Sequence, residues 1–130
     1  MTDTPGELVI RVTAMPTDLN PYGGVFGGWL MSQLALGASS LATRQTGQKA
    51  ILVSATDITF PDAMAVGDEL SVYAEMERIG RTSMMLNAVG IARERSSEAT
   101  KEVARGKFTF VALDEDGRPR AIAQQVTGVD

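Results

Sequence analysis

The chain has no cysteine and no histidine among its 130 residues. The first absence excludes disulfides, thiolate metal centres and a cysteine nucleophile. The second removes the commonest general base and metal ligand, with every Ser-His or Cys-His arrangement. No metal site is expected. A basic run is also missing and the formal net charge is -4, which argues against nucleic acid as a partner. No stretch approaches the ~20 apolar residues of a membrane span, so no membrane partner is expected. The opening MTDTPGELVI lacks the basic start and long apolar run of a secretory signal. Internal repeats and low-complexity segments are absent. The expectation is a soluble, cytoplasmic protein with one domain over residues 1–130, long enough to bury a core without staples.

What is present is organised around Asn20–Thr43, NPYGGVFGGWLMSQLALGASSLAT. A glycine-broken loop runs into a helix predicted over Gly27–Arg44, with Gly47 placed for its C-terminal cap. Leu30, Leu34, Gly37, Ala38 and Leu41 form an apolar stripe at helical spacing. Trp29, Met31, Ala35 and Leu36 make the other sides nearly as apolar, which predicts a helix buried almost all round. The soft seam opposite the stripe is Ser32, Ala35 and Ser39. The first amides of such a helix have no partner within it, and its dipole favours negative charge there. Gly27 and Gly28 leave that end open to a ligand at backbone level. The same pair is equally compatible with close helix–sheet packing.

The rest of the chain reads as strands. Glu7–Ala14 puts Leu8, Ile10 and Val12 on one face. Met15–Val25, with Pro16 and Pro21, is a loop. Ala50–Phe60 alternates poorly, which suggests that both faces are at least partly buried. Pro61–Asp68 connects it to Glu69–Arg78, where Leu70, Val72, Ala74 and Met76 alternate with polar residues. Gly80-Arg81 makes a hairpin and Ser83–Glu94 returns. After the polar turn Arg95–Ala99, Lys101–Leu113 is the fifth strand, with Ala104, Phe108, Phe110 and Ala112 inward. Asp114–Arg120 is a turn and basic tail, and residues 1–6 and 124–130 are loose ends. The fold class is therefore α+β: a five-stranded antiparallel sheet wrapped around one long helix. One helix leaves much apolar surface uncovered, which a second subunit would cover.

This element order resembles the hotdog-fold acyl-CoA thioesterases, in particular the YciA-like group. The resemblance is carried by Met15, Pro16, Asp18, Asn20, Gly23, Phe26, Gly27 and Gly28. It continues through Met31-Ser32-Gln33, Thr59-Phe60, Ala65–Asp68, Gly80 with Thr82-Ser83, and Gly117–Ala121. It implies a homodimer with two sites at the subunit boundary, and further assembly as a dimer of dimers or trimer of dimers. It also implies hydrolysis of acyl-CoA to free CoA and a carboxylic acid, with no cofactor.

Carried over residue by residue, the resemblance gives the Gly27 amide the role of oxyanion donor. Asn20 becomes the loop amide that orients water or thioester; it also suits a turn before Pro21. Asp18 shapes the loop. Gly80, Arg81, Thr82 and Ser83 match the hairpin along the pantetheine and phosphates, and Arg118 and Arg120 match the phosphate-side tail. Met31, Phe60 and Met64 are the expected acyl-pocket residues. One departure stands out: the group's helix acid falls on Ala35. A general base contributes ~100- to 10,000-fold, so hydrolysis here needs a substitute. Asp57 and Ser39 are the candidates, against bland roles as a solvated strand residue and a packing residue. The alternative is an acyl-CoA-binding protein without turnover. A hotdog dehydratase is set aside because it would need a histidine.

Overall fold

A computed structural model describes residues 6–122. Strand β1 spans Glu7–Thr13 and is followed by a short 3-10 turn, Pro16–Asp18. Helix α1 spans Gly27–Thr46. Strands β2 (Lys49–Thr59), β3 (Glu69–Ile79), β4 (Ser83–Arg93) and β5 (Thr100–Leu113) complete the chain. All pairings are antiparallel, in the order β1-β3-β4-β5-β2. This is the expected architecture, with α1 lying across one face of the sheet.

The core lies between helix and sheet. Leu30, Leu34, Ala38 and Leu41 of α1 pack with Leu70, Val72, Met84, Leu86, Phe108 and Phe110. Burying each leucine contributes roughly 2 kcal/mol. The closest approach of helix to sheet is at Gly37. A β-carbon there would lie 2.6 Å from a Val9 methyl and 3.1 Å from one of Val72. Helix α1 ends at Gly47, whose φ of 66° is the left-handed cap conformation and whose amide donates to the Thr43 carbonyl at 2.8 Å. No helix among the described residues is long and apolar enough to cross a membrane.

Three expectations are corrected. Leu8 is exposed, because a register shift between Leu8 and Ile10 lets Val9 take its place against the core. Helix α1 is buried on one side only, with Leu36 61% exposed and Met31 also exposed. Strand β2 is exposed along nearly its whole length within the protomer, Val53 being 56% accessible. It pairs with β5 on one side and its other edge is open. The unbroken apolar run Ala50–Val53 thus reflects an unpaired edge strand. Residues 1–5 and 124–130, expected as loose ends, lie outside the described residues.

The antiparallel register gives the sheet two unlike ends. At one, β2 runs out towards Phe60, and the loops 14–26 and 60–68 surround the start of α1. At the other, the β3–β4 hairpin and the tail 114–122 gather beside the end of α1.

Candidate active site

The loop before α1 is fixed by its own polar groups. The Asn20 side-chain oxygen accepts from the Tyr22 amide at 2.8 Å and from the Gly24 amide at 3.2 Å. The Asn20 backbone amide donates to the Gly24 carbonyl at 2.7 Å, and Gly23 donates to the Asn20 carbonyl. Asn20 therefore closes the loop as an Asx turn, and of its side chain only the amide nitrogen is left over. Asp18 works alongside, as expected: its carboxylate accepts from the Met15 amide and its carbonyl from the Phe26 amide, both near 2.9 Å. Val25 is tied to the Met64 carbonyl at 3.1 Å.

Helix α1 then begins without a side-chain cap. The amides of Trp29 and Leu30 donate to the Phe26 carbonyl, while no described residue accepts from Gly27 or Gly28. Two aromatic rings flank these free amides. The tip of the Phe60 ring lies 3.5 Å from where a β-carbon on Gly27 would stand, an ordinary contact. The Phe26 ring folds back over Gly28, into the space a side chain there would need. Helix–sheet packing therefore demands glycine at position 37 but not at 27. At Gly27 a β-carbon would meet the Phe60 ring at an ordinary contact distance, so packing within the protomer does not by itself require glycine there.

The other expected residues are spread out. Ser39 is half-buried on the fourth turn, twelve residues and about 18 Å along the axis from Gly27; Ala35 is about 12 Å away. Neither meets a carbonyl held at Gly27 of the same protomer. Asp57 is exposed at a bulge in β2 and lines a cleft of about 80 Å³ with Asn87, Val89, Arg105 and Lys107. Those neighbours stand on the face of the sheet away from α1. Its φ of 55° is the one positive value outside glycine among the described residues. Met64 is buried in the main core and does not line an open acyl pocket, whereas Met31 and Phe60 are exposed.

The two segments expected at CoA phosphates adjoin one another. The Ile122 amide donates to the Arg81 carbonyl and the Ala112 amide to the Thr82 carbonyl, each at 2.8 Å; Arg120 donates back to Ala112 at 2.9 Å. Gly80 closes the hairpin by donating to Ser83 at 2.8 Å. Arg81, Arg118 and Arg120 are all exposed here. Gln48 at the end of α1 reaches the Ala121 carbonyl at 3.4 Å, so this basic corner lies at the far end of the helix from Gly27. The 20 residues of α1 separate the two by about 30 Å.

Carboxylates held below their usual range lie apart from both places. Glu94 is lowered by hydrogen bonds from Ser97 and Ser96, and Glu102 by its hydrogen bond with the Arg105 guanidinium.

The sequence model of the thioesterase superfamily matches residues 22–98, from the glycine loop to the β4–β5 turn. The chain belongs to the thioesterase superfamily. It is 46% identical over 114 residues to an uncharacterised acyl-CoA thioester hydrolase of Zymomonas mobilis, covering 88% of this chain and 76% of that one. It is 38% identical over 129 residues to the acyl-CoA thioester hydrolase YciA of Salmonella typhimurium, covering 96% and 97%. Among solved structures it is similar to the hexameric thioesterase of Yersinia pestis. That match has a TM-score of 0.89 and 35% identity, over 93% of this chain and 98% of that one. It is equally similar to the aspartate-to-alanine mutant of a hexameric broad-specificity acyl-coenzyme A thioesterase, with TM-score 0.89 and 34% identity over 93% and 89%. These hotdog-fold superfamily members share the arrangement described above. In the sequence Phe26 only carried the resemblance; what reasoning from it missed is that its ring lies over Gly28 at the helix start.

Proposed function

We propose that the chain hydrolyses acyl-CoA thioesters to CoA and a carboxylic acid, without a cofactor, as an assembly of dimers. The observation that carries this is the uncapped start of α1, with free amides at Gly27 and Gly28 following the loop that Asn20 closes. Water adds to the thioester carbonyl and gives up a proton; the carbonyl oxygen takes up negative charge against the Gly27 amide and the helix dipole. The free amide nitrogen of Asn20 holds the carbonyl or the water. Collapse breaks the carbon–sulfur bond and releases CoA as the thiol. The substrate fits a cytoplasmic location.

Where the parts lie supports dimerisation. The open β2 edge is long and apolar, the kind of edge that pairs with another strand. Antiparallel pairing of β2 with its copy would bring the basic corner of one subunit to the side where α1 of the other begins. CoA would then lie across the boundary, with its thioester at Gly27 of one copy and its phosphates at the hairpin and tail of the partner. Closed β2 pairing makes only dimers. The hexameric assemblies named for similar structures support a trimer of such dimers.

Ala35 favours a second reading, acyl-CoA binding with little turnover. Thiol release from a panel of acyl-CoAs, for the chain and for Ala35→Asp, separates the two. Turnover by the parent supports hydrolysis with a base elsewhere. Turnover by Ala35→Asp alone supports a binding protein on a thioesterase scaffold.

A further inference from the structure

We propose, resting on the hydrolysis reading above, that Asp68 is a positioning residue for the reaction: from outside the site it sets where the Gly27 amide stands. Asp68 is the one buried ionisable side chain among the described residues, 6% exposed. Burying a carboxylate is costly unless its oxygens are hydrogen-bonded, and here both are. Oδ2 accepts from the Ala65 amide at 3.2 Å and Oδ1 from the Arg95 amide at 3.3 Å. Taken up by two backbone amides, this carboxylate serves to hold chain segments and not as a base.

Three segments meet on Asp68. Its amide donates to the Ala65 carbonyl at 3.1 Å, which with the side-chain bond closes the turn Ala65–Asp68 twice over. Gly67 takes the third place of that turn with φ 91°. The Arg95 side chain lies across it, 2.8 Å from where a β-carbon would stand. The Asp68 carbonyl accepts from the Ala14 amide at 3.0 Å, and Gly67 donates back to the Ala14 carbonyl at 2.8 Å. Loop 60–68, the residue that opens loop 14–26, and the β4–β5 turn are thereby tied together.

Both loops reach the start of α1. The Met64 carbonyl, next to Ala65, takes the Val25 amide at 3.1 Å, and the Asp18 carbonyl takes the Phe26 amide at 2.8 Å. The Phe60 ring, at the other end of loop 60–68, borders Gly27. The two residues before Gly27 are thus held by one bond from each loop that Asp68 fixes. Helix α1 has no side-chain cap of its own, so the direction of its first amides rests on these bonds and on the packing of Leu30. A misplacement of about 1 Å in a group that meets developing charge can cost ~100-fold in rate. Binding spread along the whole of CoA depends on it far less.

Asp68→Asn tests this on the full chain, because it keeps the size and one acceptor but turns an NH2 group towards one of the two amides. Hydrogen exchange read by mass spectrometry is the first readout. Segment 22–30 should exchange at least ~10-fold faster than in the parent, with the β3–β4 hairpin unchanged. Leu41→Ala, which loosens the core at the far end of α1, should not single out that segment. Steady-state thiol release is the second readout: kcat should fall ~10-fold with KM within about twofold. A folded Asp68→Asn protein whose segment 22–30 exchanges as in the parent overturns the assignment. So does exchange that quickens evenly along the chain, or a kcat that stays at the parental value. If Asp68→Asn does not fold, Asp68→Ser, smaller and with one acceptor, gives the same comparison. A parent without turnover contradicts the hydrolysis reading instead, and the exchange comparison still decides whether Asp68 holds the start of α1.

Discussion

The amide of Ile122 donates to the carbonyl of Arg81 at 2.8 Å. Forty residues of sequence lie between these two, which tie the β3–β4 hairpin to the basic tail. Ile122 itself is buried in the core cluster, so the tail is anchored and its arginines are held beside the hairpin.

If this corner holds phosphates, Arg120→Ala should raise KM for an acyl-CoA about 10-fold, with kcat nearly unchanged. The matching acyl-pantetheine, which lacks the nucleotide, should be processed equally by parent and variant. Steady-state kinetics with both substrates make the comparison. Equal losses on both would mean that Arg120 acts on the fold and not on phosphate.

Asn20 has two jobs that one substitution separates. Asn20→Asp keeps an oxygen for the Tyr22 and Gly24 amides but removes the free amide donor. Thermal stability should change little, while turnover falls at least ~10-fold. Asn20→Ala loses both hydrogen bonds of the loop and should cost about 1 kcal/mol in addition. Melting curves and thiol release on the pair distinguish loop closure from chemistry.

Asp57 adopts a left-handed backbone conformation that costs a non-glycine residue about 1 kcal/mol. Asp57→Gly should therefore melt at the same temperature or slightly higher. Turnover should also persist, because the carboxylate stands with Arg105 and Lys107 away from α1. A collapse of turnover in a well-folded Asp57→Gly would make this residue the missing base, reached through the partner subunit.

Much of this was legible in the sequence because each element carries its own period. The alternation of Leu70, Val72, Ala74 and Met76, the Leu30-Leu34-Leu41 stripe and the Gly47 cap each declare local geometry directly. Bulges do not. Nothing in Leu8-Val9-Ile10 announces which of three apolar residues the register shift turns outward. Strand β2 misled for another reason: an edge strand left open in the protomer can have the composition of a buried one. In the site, the glycine loop was visible, and so was the alanine at position 35, where the resemblance leads one to expect an acid. The distance between Gly27 and Arg120 was not, since it depends on strand order and not on spacing along the chain. Met64 sits among loop residues, yet its side chain joins the core, while its carbonyl accepts from the Val25 amide.

The first experiment is thiol release by Gly27→Pro. Gly27 is the first helical residue, where proline is well tolerated because that amide has no helical partner. Phe26, with φ -68° and ψ 130°, already has the conformation that precedes proline. The substitution thus deletes one N–H and leaves the helix in place. If the Gly27 amide stabilises the oxyanion, turnover of acyl-CoA falls ~100- to 1,000-fold with the melting temperature nearly unchanged. A folded Gly27→Pro protein that releases thiol as fast as the parent would mean that the thioester is not activated at the start of α1.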